Sequence, residues 1–142
     1  MYNDGNLIYI FTMLECTEKC WVYSAGFDNP NDFVWADSQM HLNAVISMFI
    51  AIGEESKKIN QGLKDALVTK LDWSDVAGIR DKISHDYRGT DAEILWAVIY
   101  KDLPKLKQAL LEMIDLIKPS TELLNEFLDS PYYQHLQYLR KK

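Results

Sequence analysis

Cysteine is nearly absent from this 142-residue chain: Cys16 and Cys20 are the only two. A disulfide scaffold does not fit so few thiols. Their spacing allows both to face one side of a helix. No further Cys or His lies nearby at metal-ligand spacing, so they read as core or partly buried thiols. Positive charge is scarce too, with 15 Lys and Arg against 21 Asp and Glu, a formal charge of −6. A basic surface that coats nucleic acid is excluded, and any RNA contact must use a small local site. No apolar run reaches the roughly 20 residues of a membrane span. The opening Met1-Tyr2-Asn3-Asp4-Gly5-Asn6 lacks the positive region of a signal peptide. The expectation is a cytoplasmic protein with no membrane partner. Strand alternation, internal repeats and low-complexity segments are also missing.

What is present is helix. The hydrophobic fraction is 48%, the charged fraction 25% and the aromatic fraction 12%, enough apolar material for a core and against disorder. Leu7, Phe11, Leu14, Trp21 and Ala25 recur at helical spacing over 6–26. Gly26 and Asp28-Asn29-Pro30-Asn31 break that pattern. A second long helix is expected from Ser38 to Ile59, with the stripe Leu42, Val45, Ile46, Phe49 and Ile52. Gly53 inside it costs about 1 kcal/mol relative to alanine, which close packing against another helix would offset. A short helix is expected over 61–70, and Asp72 reads as the N-cap of a helix beginning at Trp73. Thr90-Asp91-Ala92-Glu93 has the form of a capping box and opens a helix through Ile94, Leu95, Val98 and Ile99. Pro104 restarts or bends it. Leu106, Leu110, Met113 and Ile117 continue the stripe until Pro119, after which Ser120 can cap another short helix. The tail from Pro131 to Lys142 is aromatic, then basic, and reads as solvated and partly docked.

The chemistry-bearing segment is Arg80-Asp81-Lys82-Ile83-Ser84-His85-Asp86-Tyr87. Arginine is a permanently charged fork suited to phosphate oxygens, and histidine exchanges a proton near neutral pH. Together they form a minimal kit for cleaving an RNA phosphodiester without a metal. Val76, Ile79 and Ile83 form the buried stripe of the expected helix, with Arg80, Ser84 and Tyr87 on a neighbouring face. On one regular helix Arg80 and His85 stand about 140° apart, too far round for a single phosphate to touch both easily. Either the helix ends early and His85 swings round, or the partner group comes from another chain. A two-fold dimer would bring two copies to a shared cleft. Asp81 could hydrogen-bond His85 and fix its tautomer. The same residues also fit a solvated His85–Asp81 pair, with Arg80 bridging Asp75 or Ser84.

The Arg-x4-His-x-Tyr spacing resembles the signature of the HEPN superfamily and, within it, the HepT toxins. Ile52-Gly53-Glu54-Glu55-Ser56-Lys57-Lys58 is similar to that family's Ile-Gly-Glu segment. Asp72-Trp73-Ser74-Asp75-Val76-Ala77-Gly78-Ile79-Arg80 resembles its Trp-x-x-Ile-x-Gly-x-Arg lead into the motif. His85-Asp86-Tyr87, Asp91, Ile94, Trp96 and Asp102-Leu103-Pro104-Lys105-Leu106 continue the likeness, which covers residues 7–117. The family often has Asn after the motif arginine, where this chain has Asp81.

The resemblance implies an all-α, up-and-down helical bundle that forms a homodimer, over residues 1–119, with 120–142 as a C-terminal helical extension. It implies a toxin with metal-independent endoribonuclease activity on RNA and no cofactor. Arg80 and His85 would be catalytic, with Asp81 and Ser84 in support. The partner would be a minimal nucleotidyltransferase antitoxin that transfers AMP to Tyr87. The alternative is a non-catalytic helical subunit that binds a nucleotidyltransferase and serves as, or presents, its substrate.

Overall fold

A computed structural model describes residues 2–82 and 91–140, and among these every regular element is helical. The all-α bundle expected from the sequence is therefore present. Helix α1 spans Leu7–Ser24 and packs chiefly on α3, Met40–Ser56. Their interface is built from Leu7, Ile10, Phe11 and Leu14 on one side and Leu42, Val45, Phe49 and Ile52 on the other, all fully buried. Burying each such side chain contributes about 1.5–3 kcal/mol. Burial on α1 extends round to Met13, Cys16 and Cys20, because helix α7, Leu103–Ile117, and the C-terminal segment cover its remaining faces. Thr17 and Ser24 are buried there too; their hydroxyls donate to the carbonyls of Met13 and Cys20, one turn back, each at 2.8 Å. Burial raises the pKa of both thiols.

The second long helix is shorter than expected, and an unexpected helix precedes it. Residues 28–31 do end α1, but they also start α2, Pro30–Trp35. Asn29 accepts from the Asp32 N–H at 2.9 Å, and Pro30 takes the first turn, where its missing N–H costs nothing. Asp37, Ser38 and Gln39 then adopt left-handed backbone, with φ of 51°, 57° and 67°, so α3 begins at Met40 rather than Ser38. At its other end α3 stops at Ser56. The helix expected over 61–70 contracts to α4, Gln61–Asp65. The chain leaving it is tied to α7 instead: the Glu112 carboxylate accepts from the Val68 N–H at 2.5 Å and the Thr69 N–H at 3.0 Å. Those backbone bonds hold the Glu112 carboxyl below the usual carboxylate range.

Helix α5, Trp73–Ala77, is followed by a 3-10 turn, Ile79–Lys82. Helix α6, Ala92–Ala97, is capped by Asp91, which accepts from Glu93 and Ile94. The cap thus falls one residue later than the capping-box reading with Thr90. A π-helical segment, Val98–Asp102, joins it to α7, Leu103–Ile117, with Pro104 in the first turn of α7. The restart expected at Pro104 is thus a change of helical pitch. Helix α8, Thr121–Leu128, has Ser120 as its cap, as expected.

The tail is docked more firmly than its composition suggests. Residues Pro131–Leu139 form a 3-10 helix lying along α1. Leu136 is fully buried, and the Tyr133 hydroxyl meets Thr12 Oγ1 at 3.0 Å. Glu15 on α1 has no solvent exposure and accepts two bonds from His135, from the backbone N–H at 2.9 Å and from Nδ1 at 2.5 Å.

Candidate active site

Asp72 begins the site. Its carboxylate accepts from the Ser74 N–H at 3.0 Å and the Asp75 N–H at 3.3 Å, so α5 has the cap expected of it. The helix lasts five residues. Gly78 leaves helical geometry at φ −102°, ψ 23°, while its N–H still bonds the Ser74 carbonyl at 3.1 Å. The 3-10 turn that follows is pinned by the Asp81 N–H donating to the Gly78 carbonyl at 2.8 Å. A continuous helix from Trp73 through the motif is therefore not formed. Arg80 and Asp81 stand on a turn with three residues per revolution, where the 140° separation for a regular α-helix does not carry over. The helix thus ends before Arg80; where His85 stands relative to it lies outside the described residues. Ile79 and Val76 are buried as expected, and they anchor the turn to the bundle.

Arg80 and Asp81 are both exposed and line one side of a cavity of about 200 Å³. The opposite wall is α3, through Phe49, Ile50, Gly53, Glu54 and Lys57. Ile50, Gly53, Glu54 and Lys57 follow helical spacing, one stripe beside the core stripe of α3. Lys57 Nζ bonds Glu54 Oε1 at 3.2 Å, with both side chains more than half exposed. The groove thus offers two cations, Arg80 and Lys57, and two carboxylates, Asp81 and Glu54, on a floor of backbone. Such a mixture suits a polyanion held at one or two points rather than along a basic track. Among the described residues no group of His, Cys, Asp and Glu is placed to hold a metal ion.

The site residues Ser84, His85 and Tyr87 lie outside the described residues. The structure therefore brings Arg80 and Asp81 together on one rim and leaves the rest of the motif to the sequence. The α3 wall was missed as part of the site, although a signal for it was present: Gly53, Glu54 and Lys57 fall within the segment similar to the HepT Ile-Gly-Glu run.

The family described as ribonuclease HepT-like matches residues 13–113, from within α1 almost to the end of α7. The chain belongs to the HepT-like ribonuclease family. Its similarity to curated members is moderate. It is 28% identical over 100 residues to the RNase-named protein MJ1380 of Methanocaldococcus jannaschii, covering 70% of this chain and 88% of that one. It is 41% identical over 64 residues to a Thermococcus cleftensis protein named as ribonuclease HepT, covering 45% of this chain and 57% of the relative. It is 33% identical over 63 residues to the RNase-named protein TTE0752 of Caldanaerobacter subterraneus, covering 44% and 55%. The match thus spans little more than half the length of the last two. No solved structure matches the chain significantly. The α3 wall, α5, the Arg80 turn and the motif segment all lie inside the HepT-like match, whereas α8 and the docked tail lie beyond it.

Proposed function

We propose that this chain is a metal-independent endoribonuclease, the toxin of a pair whose other member is a minimal nucleotidyltransferase antitoxin. The observation that carries the reading is the exposure of Arg80 on a groove wall within a HepT-like ribonuclease fold. Arg80 binds and neutralises the scissile phosphate through charge-assisted hydrogen bonds. His85 moves the proton. The 2′-oxygen loses its proton and bonds to phosphorus, the bond from phosphorus to the 5′-oxygen breaks, and that oxygen leaves protonated. The products are a 2′,3′-cyclic phosphate and a 5′-hydroxyl. One His85 cannot serve as base and acid at once, so the working unit is a symmetric homodimer that pairs two motifs. Asp81 and Ser84 orient the histidine and the phosphate. AMP on Tyr87 places a phosphate against Arg80 and blocks the cleft with like charge.

A second reading keeps the surface and drops the chemistry: a non-catalytic subunit that presents Tyr87 to the nucleotidyltransferase. The exposed carboxylate of Asp81 beside Arg80 favours it, since a negative charge there opposes a phosphate. Co-expression with a neighbouring nucleotidyltransferase, followed by mass spectrometry, tests the control step. AMP-sized additions should appear and should vanish in Tyr87→Phe. Additions that persist in that variant, or that map elsewhere, overturn the control step. Growth arrest on expression of the chain alone, relieved by His85→Ala, selects the toxin reading; growth unaffected by the chain selects the presenting subunit.

A further inference from the structure

At Gly53, α3 comes hard against the segment that carries Arg80. A Cβ built at Gly53 would lie 2.7 Å from the Ala77 carbonyl oxygen and 3.6 Å from that of Val76. The first distance is inside any real Cβ approach, and the obstacle is backbone, which no rotamer change removes. Ala77 is the last residue of α5, three before Arg80. Between them the chain has little slack. Gly78 and Asp81 are tied by a 2.8 Å backbone bond, Ile79 is buried, and both α5 and the 3-10 turn pack on α3. A displacement at Ala77 is therefore passed to Arg80 rather than absorbed. The neighbouring Ser56 is held as well, with its buried hydroxyl donating to the Gly53 carbonyl at 2.7 Å.

We propose that Gly53 is a positioning residue: its missing side chain lets α5 rest on α3 and thereby sets the distance of Arg80 from the groove. This rests on Arg80 being the phosphate-binding group. Restoring an ordinary van der Waals distance at Ala77 requires several tenths of an ångström. Such a shift weakens but does not delete the charge-assisted contact of Arg80, whose full loss is worth roughly 10–100-fold, so Gly53→Ala should lose RNA affinity by no more than about tenfold.

The test uses the full chain carrying His85→Ala, so that RNA stays intact, and measures binding of a fluorescent RNA oligonucleotide across a salt series. Removing one ion pair between protein and phosphate flattens the dependence of log K on log salt by about 0.7 for a single strand. Arg80→Ala should flatten it, Gly53→Ala should flatten it in the same direction, and the two together should do no more than Arg80→Ala alone. Leu136→Ala, a cavity in the docked tail far along the chain, serves as the control for reduced stability, with melting temperatures taken for all variants. It should lower the melting temperature and leave the slope unchanged. If Arg80→Ala flattens the slope and Gly53→Ala does not, the positioning role is wrong. Additive losses in the double variant also overturn it. If Arg80→Ala itself leaves slope and affinity unchanged, the phosphate reading of Arg80 fails first. Should the melting curve show that Gly53→Ala does not fold, the contact supports the whole bundle and the local positioning role is overturned.

Discussion

Arg80 and Asp81 pose the problem of this site at the residue scale, because adjacent positions on one 3-10 turn carry opposite charges. An arginine that grips phosphate through its planar fork is not replaced by lysine. Arg80→Ala should weaken RNA binding by roughly 10–100-fold, the 1.5–3 kcal/mol of a charge-assisted bond, and Arg80→Lys should recover only part of it. Binding titrations at fixed salt check this, and full recovery by lysine would show that charge alone matters. Asp81 places a full negative charge where many HepT relatives are expected to carry Asn. Asp81→Asn should raise the single-turnover cleavage rate severalfold if the carboxylate opposes substrate. A fall in rate would mean that the proposed support of His85 by the carboxylate outweighs that opposition. Arg80 and Asp81 were legible in the sequence only with the wider HepT likeness beside them, since the eight residues alone also fit a solvated pair. The partner wall was less so: Lys57 and Glu54 look like an ordinary solvated i, i+3 pair until α5 is seen to lie beside them.

At the element scale, the long helices were legible from their stripes, the short ones only from their caps, and α2 not at all. Helices α1, α3 and α7 announce themselves through repeated apolar stripes that tertiary packing then buries. Helices of five or six residues have no such stripe to read. Helix α2 owes its existence to the Asn29 cap and to burial of Phe33 and Val34, while α5 depends on Asp72 at one end and Gly78 at the other. The left-handed run at residues 37–39 carries no glycine to signal it. Asp72→Ala should therefore cost about 1 kcal/mol of stability, read as a lower melting temperature, and should cut cleavage more than that loss alone explains. Glu112 gives the turn after α4 a pH signature. Its carboxyl is held below its ordinary value of 4.5 by backbone bonds, so the ionised form stabilises the fold. That contribution is present above the ordinary value and is lost as pH falls through the lowered one. The stability gap between the parent chain and Glu112→Gln should be constant near neutrality and should close on acidification below about pH 4.5. A gap that widens on acidification would contradict the assignment.

On the scale of the whole molecule, the segment beyond the HepT-like match is part of the core. We propose that residues 120–140 are an extension that the bundle requires, because α1 buries Glu15 completely and His135 supplies both bonds to it. Truncation after Lys118 would strip Glu15 of those partners and expose it together with Phe11, whose ring contacts with Phe127 and Tyr133 would be lost. Uncovering that face of α1 and removing the buried Leu124, Leu128 and Leu136 costs about 1.5–3 kcal/mol for each large apolar side chain, so the truncated chain should be largely unfolded at 37 °C. Circular dichroism melts decide this; an unchanged melting temperature would make the tail an ornament. A short helix and a partly docked tail were legible beforehand, but the Glu15–His135 contact was not, because the two are 120 residues apart and neither belongs to a motif. At this scale too stands the dimer, which sedimentation at micromolar concentration tests: a monomer that still cleaves RNA would contradict the paired-motif mechanism. The central claim, a histidine–arginine ribonuclease that needs no metal, is tested most directly by incubating the purified chain with total RNA in EDTA and mapping the ends. The account predicts new 2′,3′-cyclic phosphate and 5′-hydroxyl ends, slowed by about 10²–10⁴ in His85→Ala. Cleavage that disappears in EDTA, or that His85→Ala leaves undiminished, would contradict it.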